Sequence, residues 1–192
     1  MRCLVLPHGD RRPVFGQDVF LAPTATVIGD VELGDRVSIW YGCVVRGDVH
    51  RIRIGADTNV QDAVVVHGTL DEWPVTIGER VSIGHSATLH GCTVEDDCLI
   101  GIGSRVLDGA RVGAGSLIAA GAVVREGMDI PPRSLVTGVP ATVRRELTAR
   151  EVELIARTPG RYRALAADAR RSCLQSGLPD PFAHSGAGAD GS

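Results

Sequence analysis

The sequence predicts an all-β solenoid, a parallel β-helix, with a C-terminal α-helix packed along it. Three observations lead to this prediction: an aliphatic residue recurs every six positions, small residues separate these positions, and aromatic residues make up only 4% of the chain. A six-residue period fits neither an amphipathic helix nor the two-residue alternation of an ordinary strand, whereas short strands joined by turns repeat in this way. Three such strands complete one triangular coil of about eighteen residues.

The aliphatic positions can be counted through most of the chain. The count predicts a short insertion after Val45 and a longer loop after Val66. Stacking the coils places these side chains inside as a core, and the apolar content of 44% is sufficient for one. The full set is Val27, Leu33, Ile39, Val45, Ile54, Val60, Val66, Ile77, Ile83, Leu89, Val94, Ile100, Val106, Val112, Ile118 and Val124, with a degenerate end at Pro131 and Thr137.

The chain divides into four predicted segments: an N-terminal segment (1–13), the β-helix domain (14–143), a C-terminal helical segment (147–174) and a tail (175–192). Thr148 and Glu151 have the spacing of a capping box, which predicts a helix start. Pro159 followed by Gly160 predicts an interruption, with a second helix ending near Cys173. The tail is rich in Gly, Ala, Asp and Pro, so we expect it to be disordered.

Composition and charge exclude several classes of function. The net charge is −3 and no Lys/Arg cluster resembles a nucleic-acid-binding surface. No apolar run is long enough to span a membrane or to form a signal peptide. The five cysteines contain no C-x-x-C pair. We therefore expect a cytoplasmic protein with reduced thiols that binds neither membranes nor nucleic acids.

The same count assigns the histidines to faces of the coil. If the strand begun by Val66 is on face A, then Ile77 begins face B and Ile83 begins face C. His67 and His90 hold the second position on face A in successive coils, and Arg46 holds it one coil earlier. His85 holds the third position on face C, with Gln61 on that face one coil before. We therefore expect His67 and His90 to be stacked, and His85 to point elsewhere.

Three neutral imidazoles are suitable ligands for Zn²⁺, and Fe²⁺ or Co²⁺ is also possible. Three protein ligands leave a coordination position open, as in catalytic sites. For any one of these histidines a polar surface role is the simpler interpretation, but the joint spacing favours a metal site. Completing the site requires a neighbouring subunit to present face C to face A, which a cyclic homotrimer would achieve.

The motifs around these positions resemble the γ-class carbonic anhydrase family of the hexapeptide-repeat superfamily. The resemblance extends from Val14 to Ala169. It implies a left-handed coil, although the general rule for parallel crossovers favours a right-handed one. It also implies that His67 and His90 of one subunit and His85 of the next hold the metal. The shared motifs are Arg46-Gly47-Asp48, Asn59-Val60-Gln61-Asp62, His67 and Gly84-His85-Ser86-Ala87-Thr88-Leu89-His90-Gly91.

The resemblance suggests roles for the neighbouring residues. Arg46 and Asp62 would form an ion pair that supports the trimer and the site, with Asp48 adjacent. Gln61 would hydrogen-bond the metal-bound water. Each has a simpler alternative, because Arg46 and Asp62 fit a solvated surface pair, while Asp48 and Asn59 fit turn positions.

The activity implied is the reversible hydration of carbon dioxide to bicarbonate by a metal-bound hydroxide. Founding members of the family have a glutamate after the aspartate that corresponds to Asp48, whereas this chain has Val49 there. Glu72, in the loop Gly68–Pro74, is a candidate proton relay, although a solvated loop charge is the simpler interpretation. This departure puts the turnover rate in question.

Three other functions suit the same fold. One is an acyl-CoA-dependent acyltransferase that uses a single loop histidine as general base. Another is a metal-dependent acyl-CoA thioesterase, and a third is a catalytically weak trimeric scaffold. Three converging histidines favour a metal over a lone base, but the sequence leaves the thioesterase open.

Overall fold

The computed structural model describes residues 3–177, and these form a left-handed parallel β-helix of about seven coils with a single C-terminal helix. The predicted fold class is therefore confirmed. The predicted tail lies outside the described residues from position 178 onwards. The strands pair in parallel from coil to coil, and all three faces found by counting are present.

Faces A and B belong to one 12-stranded sheet because two strands, β4 (Thr26–Leu33) and β6 (Val44–Ile54), run continuously around the corner between them. The short insertion expected after Val45 is thus accommodated within a single extended strand. The strands of this sheet are β1 (Leu4–Leu6), β2 (Val14–Phe15), β4 (Thr26–Leu33), β6 (Val44–Ile54), β8 (Val65–His67), β9 (Val75–Ile77), β11 (Thr88–His90), β12 (Thr93–Val94), β14 (Arg105–Val106), β15 (Arg111–Val112), β17 (Val123–Val124) and β18 (Asp129–Ile130).

Face C is a separate 8-stranded sheet. Its last pair is antiparallel, so the final strand turns back and ends the solenoid before the helix begins. The strands of face C are β3 (Phe20–Leu21), β5 (Ser38–Ile39), β7 (Asn59–Val60), β10 (Ser82–Ile83), β13 (Leu99–Ile100), β16 (Leu117–Ile118), β19 (Ser134–Thr137) and β20 (Thr142–Glu146).

The aliphatic positions of the six-residue count form the buried column inside the coils. At its end the column continues through Ile130 and Val136, one residue before the predicted positions Pro131 and Thr137. Val45, Val66, Leu89 and Val106 are aligned on successive strands of face A, and each is fully buried. Cys43, Cys92 and Cys98 are buried in the same core. A rigid column of this kind fixes the neighbouring outward-facing positions at the strand spacing of about 4.8 Å.

At the corner between faces B and C, the turn position with positive φ is occupied in several coils by Arg or Asp and not by the small residues that the sequence led us to expect. Arg36, Asp57, Arg80 and Asp97 adopt positive φ angles of 57°, 58°, 54° and 56° there, a region that L-residues enter at a cost. The Arg36 guanidinium donates two hydrogen bonds to Asp57, at 2.9 and 2.8 Å, and Arg80 does the same to Asp97 at 2.8 and 3.0 Å. Paired charges on adjacent coils thus stabilise turns in which the residue with positive φ is not glycine.

Helix α1 (Ala149–Gln175) is continuous, so the prediction of two helices separated at Pro159 is wrong. Pro159 lacks the N–H that would donate within the helix, but its side chain is buried. The helix packs on face C, where the Trp40 ring lies 5.1 Å from Phe20 and 5.5 Å from Tyr162. This packing offsets the cost of the missing hydrogen bond, and the helix continues through the proline.

Candidate metal centre

The structure confirms the histidine column on face A. Arg46 pairs in register with His67, and His67 pairs with His90 on the next strand. The two imidazole rings are partly buried, with centroids 5.1 Å apart. Arg46, His67 and His90 therefore occupy the same outward-facing position on three successive strands of face A and form a row along the solenoid.

The two rings face each other through one nitrogen each. Nδ1 of His67 lies 3.0 Å from Nε2 of His90. The outer nitrogens contact carboxylates: Nε2 of His67 lies 3.0 Å from Oδ1 of Asp48, and Nδ1 of His90 lies 2.5 Å from Oδ1 of Asp108. Carboxylates behind the ligating imidazoles are a recurring feature of metal sites, because they fix the tautomer and the ring orientation.

Both carboxylates are ionised at neutral pH. Burial alone would raise the pKa of Asp48, but hydrogen bonds from Arg46 and His67 bring that pKa below its ordinary value. Burial likewise opposes the lowering at Asp108, whose pKa falls because Thr69 and His90 donate to it. An ionised carboxylate only accepts hydrogen bonds. The proton of each neutral imidazole is therefore assigned to its outer nitrogen, and two lone pairs face each other across 3.0 Å.

Two facing lone pairs form a suitable site for a positive species between them. A proton is disfavoured at His67, because burial lowers the pKa of that imidazole despite the opposing effect of Asp48. Zn²⁺ bound to both nitrogens at about 2.0–2.1 Å in tetrahedral geometry needs a nitrogen–nitrogen separation of about 3.3 Å. The rings would have to move apart by only about 0.3 Å. The donor set thus fits a borderline transition-metal cation such as Zn²⁺, Fe²⁺ or Co²⁺.

His85 lies at the corner between faces C and A, away from the other two. Its Nδ1 is 2.8 Å from Oδ2 of Asp62, which occupies the equivalent position one coil earlier. Its side chain is 41% exposed, so the ring is accessible to a neighbouring molecule. Among residues 3–177 of the single chain, no three His, Cys, Asp or Glu side chains are gathered so as to hold a metal ion.

Within the chain, Arg46 forms its ion pair with Asp48, whereas Asp62 contacts His85. The Arg46–Asp62 pair is therefore not formed inside one protomer, and its formation between subunits stays a prediction. The reason is geometric: Arg46 extends from face A beside Asp48, while Asp62 is at the opposite end of the same face, on the corner with face C.

Asn59 and Gln61 form a buried amide network on face C. The Gln61 amide donates to Oδ1 of Asn59 at 3.1 Å, and the Asn59 amide donates to Oγ of Ser82 at 2.8 Å. Asn59 lies in β7, so the interpretation of this residue as a turn residue is wrong. Its position in the strand instead fixes the Gln61 side chain near the corner that carries Asp62 and, one coil later, His85.

The loop between β8 and β9 contacts the site through a residue that the sequence analysis did not select. Glu72, the candidate proton relay, is exposed. Thr69 instead donates its hydroxyl to Oδ2 of Asp108 at 2.6 Å. Both Asp108 and Thr69 were missed. The six-residue count did contain a signal for Asp108. Val106 pairs with Leu89 on the preceding coil, so Leu107 lies beside His90 and Asp108 lies beside Gly91.

Comparison with known families identifies the repeat. The family described as bacterial transferase hexapeptide (six repeats) matches residues 12–47 and 91–126. The hexapeptide repeat of succinyl-transferase matches residues 74–101. These matches agree with the six-residue count across both halves of the solenoid.

Individual relatives indicate which family within the hexapeptide-repeat proteins the chain is similar to. Gamma carbonic anhydrase 2, mitochondrial, of Arabidopsis thaliana is 44% identical over 162 residues, which are 82% of this chain and 58% of the relative. The chain thus spans less than two thirds of that relative's length. A Methanocaldococcus jannaschii protein named "Probable carbonic anhydrase" is 50% identical over 149 residues, covering 78% of this chain and 93% of the relative.

A solved structure matches the fold over nearly the whole chain. A Bacillus cereus protein, provisionally assigned as an acetyltransferase, superposes with a TM-score of 0.85 at 38% identity, covering 91% of this chain and 100% of the other. Within residues 3–177 no helix has the length and apolarity needed to cross a bilayer.

The repeat, the histidine column and the carbonic anhydrase relatives lead to one conclusion: the chain belongs to the γ-class carbonic anhydrase family of the hexapeptide-repeat superfamily.

Proposed function

We propose that this protein catalyses the reversible hydration of carbon dioxide to bicarbonate at metal centres held between the subunits of a homotrimer. The observation that carries the proposal is the pair of facing nitrogens of His67 and His90, 3.0 Å apart, with an ionised carboxylate behind each ring. The family membership supports the same activity. A cytoplasmic location remains part of the proposal.

His67 and His90 would supply two nitrogen ligands, and His85 of an adjacent subunit would supply the third. Zn²⁺ is the proposed ion, with Fe²⁺ or Co²⁺ as alternatives. When bound, such an ion would lower the pKa of a coordinated water towards about 7 and so supply a nucleophile for carbon dioxide at neutral pH.

The remaining residues hold the ligands and orient the substrate. Asp48 accepts the outer N–H of His67 and is itself held by Arg46, which keeps the His67 ring from rotating. Gln61 lies near the same corner as His85, one coil earlier. We assign the Gln61 amide to hydrogen-bond the reactive water. Asn59 positions the Gln61 amide. Asp62 orients the His85 ring through Nδ1, which leaves Nε2 of that ring as the ligand atom.

The proton released in hydration must reach solvent. Val49 occupies the position where a glutamate follows the aspartate in founding members. Glu72 is the proposed relay, because it is an exposed carboxylate on the loop whose Thr69 contacts Asp108. Exchange of Glu72 for Gln should lower the hydration rate in weak buffer and be rescued by concentrated buffer if this assignment is right.

A stopped-flow assay tests the proposed activity. Protein purified without oxygen is loaded separately with Zn²⁺, Co²⁺ and Fe²⁺, and carbon dioxide hydration is recorded beside acetyl-CoA hydrolysis. We expect hydration with at least one metal, loss of more than 100-fold in His90→Ala, and unchanged rates in the control His8→Ala, whose side chain is exposed at the N-terminus. Absence of hydration with every metal would contradict the proposal.

Acyl-CoA chemistry is the second candidate, because the Bacillus cereus structural relative carries an acetyltransferase assignment. An acyltransferase with one basic histidine does not need two imidazoles with their lone pairs turned towards each other. Acetyl-CoA cleavage that depends on metal and on His90 would favour a thioesterase. Acyl transfer that persists after metal removal would favour a transferase. A trimer that binds metal without any turnover would favour the scaffold.

A further inference from the structure

Asp108 connects two separate elements of the site. Its Oδ1 contacts Nδ1 of His90, on β11, and its Oδ2 accepts the hydroxyl of Thr69, in the loop that follows β8. The carboxylate is therefore occupied on both oxygens, and its side chain is only 24% exposed. Because the contact is to the outer nitrogen of His90, Asp108 lies behind the ring and does not face the point shared with His67.

The backbone near Asp108 is shaped to admit this carboxylate. Gly91 has a φ of +55°, and a Cβ at that position would lie 2.4 Å from Oδ1 of Asp108 and 2.7 Å from Cβ of Trp73. Any larger residue would displace the carboxylate from His90. The loop is fixed from the other side as well, since a Cβ at Gly109 would be 3.1–3.3 Å from three atoms of the Trp73 ring.

We propose that Asp108 is a positioning residue that orients His90 towards the metal, and that Thr69 and Trp73 make the loop a structural support for this ligand. The inference rests on the proposed metal site. It gives the short loop a role in holding a metal ligand, one that is independent of any proton relay through Glu72. Thr69 acts by restricting the Asp108 carboxylate to the rotamer that reaches His90.

Titration with Co²⁺ tests this role without reference to catalysis. The metal-free protein is titrated with Co²⁺ while visible absorption reports both affinity and ligand geometry. Carboxylates that orient a ligating histidine typically change metal affinity by about 10–100-fold. We expect Asp108→Ala to weaken Co²⁺ binding by that factor and to alter the absorption bands. Asp108→Asn, which keeps an acceptor oxygen, should have a smaller effect in the same direction.

A double-mutant cycle isolates the part played by the loop. Thr69→Val removes the hydroxyl while keeping the side-chain shape, and we expect a weakening of a few-fold. In the Asp108→Ala background Thr69→Val should change nothing further, because the two residues act as one unit. Asp71→Asn is the matched control, an exposed loop carboxylate exchanged at a positive-φ position that tolerates Asn. It should bind Co²⁺ as the wild type does.

Each outcome has a separate meaning. Wild-type affinity and spectrum in both Asp108 variants, with circular dichroism showing a folded chain, would overturn the positioning role alone. Fully additive effects of Thr69→Val and Asp108→Ala would overturn the role of the loop. Wild-type protein that binds Co²⁺ but hydrates no carbon dioxide would contradict the proposed activity and leave this inference standing. Wild-type protein that binds no Co²⁺ would contradict both.

Discussion

His67 and His90 present different nitrogens to their shared point, Nδ1 in the first and Nε2 in the second. The difference follows from where each carboxylate lies. Asp48 is on the same strand as Arg46, one coil before His67, whereas Asp108 is one coil after His90. Counting in sixes could predict that the two rings stack. It could not predict which nitrogen faces inward, because that choice depends on the side-chain rotamers of carboxylates in two other coils.

Gly91 provides a test at the scale of one residue. Gly91→Ala places a methyl group against Asp108 and Trp73 and also forces a left-handed alanine, so we expect a loss of about 2–4 kcal/mol in the free energy of unfolding. Gly103→Ala is the matched control: it has a φ of +66° with nothing within 4 Å of the added Cβ. The control should lose only about 1 kcal/mol, the cost of the backbone conformation. Urea unfolding of the two variants measures the difference, and equal losses would refute the contact.

The C-terminal helix shows which signals in an element can be interpreted locally. Its start was predicted correctly, because Thr148 and Glu151 satisfy each other's backbone N–H groups without help from the rest of the fold. The predicted interruption at Pro159 was wrong. A proline removes one hydrogen bond, but Pro159 itself is buried, and Tyr162, Ala166 and Ala169 pack against Trp40 and Phe20 on face C in the turns that follow it. Tertiary burial of this kind is invisible in a local sequence window.

The capping box predicts how the helix responds to acid. Hydrogen bonds from Arg145 and then from Thr148 lower the pKa of Glu151 to about 2, from an ordinary value of 4.5. Because the folded pKa is depressed, the stabilisation is complete above pH 4.5 and is lost as the pH falls from 4.5 to about 2. The difference in Tm between the wild type and Glu151→Ala should therefore shrink over this interval. A difference that stays constant down to pH 2 would show that the charge is not responsible.

At the scale of the molecule, the six-residue count determined most of what the site needs. It predicted the three faces, the stacking of His67 on His90 and the separation of His85, since a close-packed aliphatic core fixes the register of every outward position. What it could not predict were the contacts made by residues outside the repeat, such as Thr69 in the loop. Those depend on how a non-repeating segment packs, for which the period carries no information.

The proposed sharing of the metal between subunits has a direct consequence for mixed assemblies. His85→Ala chains keep His67 and His90, while His90→Ala chains keep His85. Neither variant alone should hold metal. In a cyclic trimer that contains both variants, one interface joins the intact His67 and His90 of a His85→Ala chain to the intact His85 of a His90→Ala chain. After random mixing at equal amounts, each of these two conditions is met at half of the interfaces, so about one quarter of the wild-type metal content should be restored. Co-expression, separation by size and metal analysis provide the measurement.

A mixture of His90→Ala with His67→Ala chains is the control, because both changes fall on the same face and no interface can be complete. Restoration in that control, or none in the first mixture, would mean that the ligands are not divided between protomers in this way.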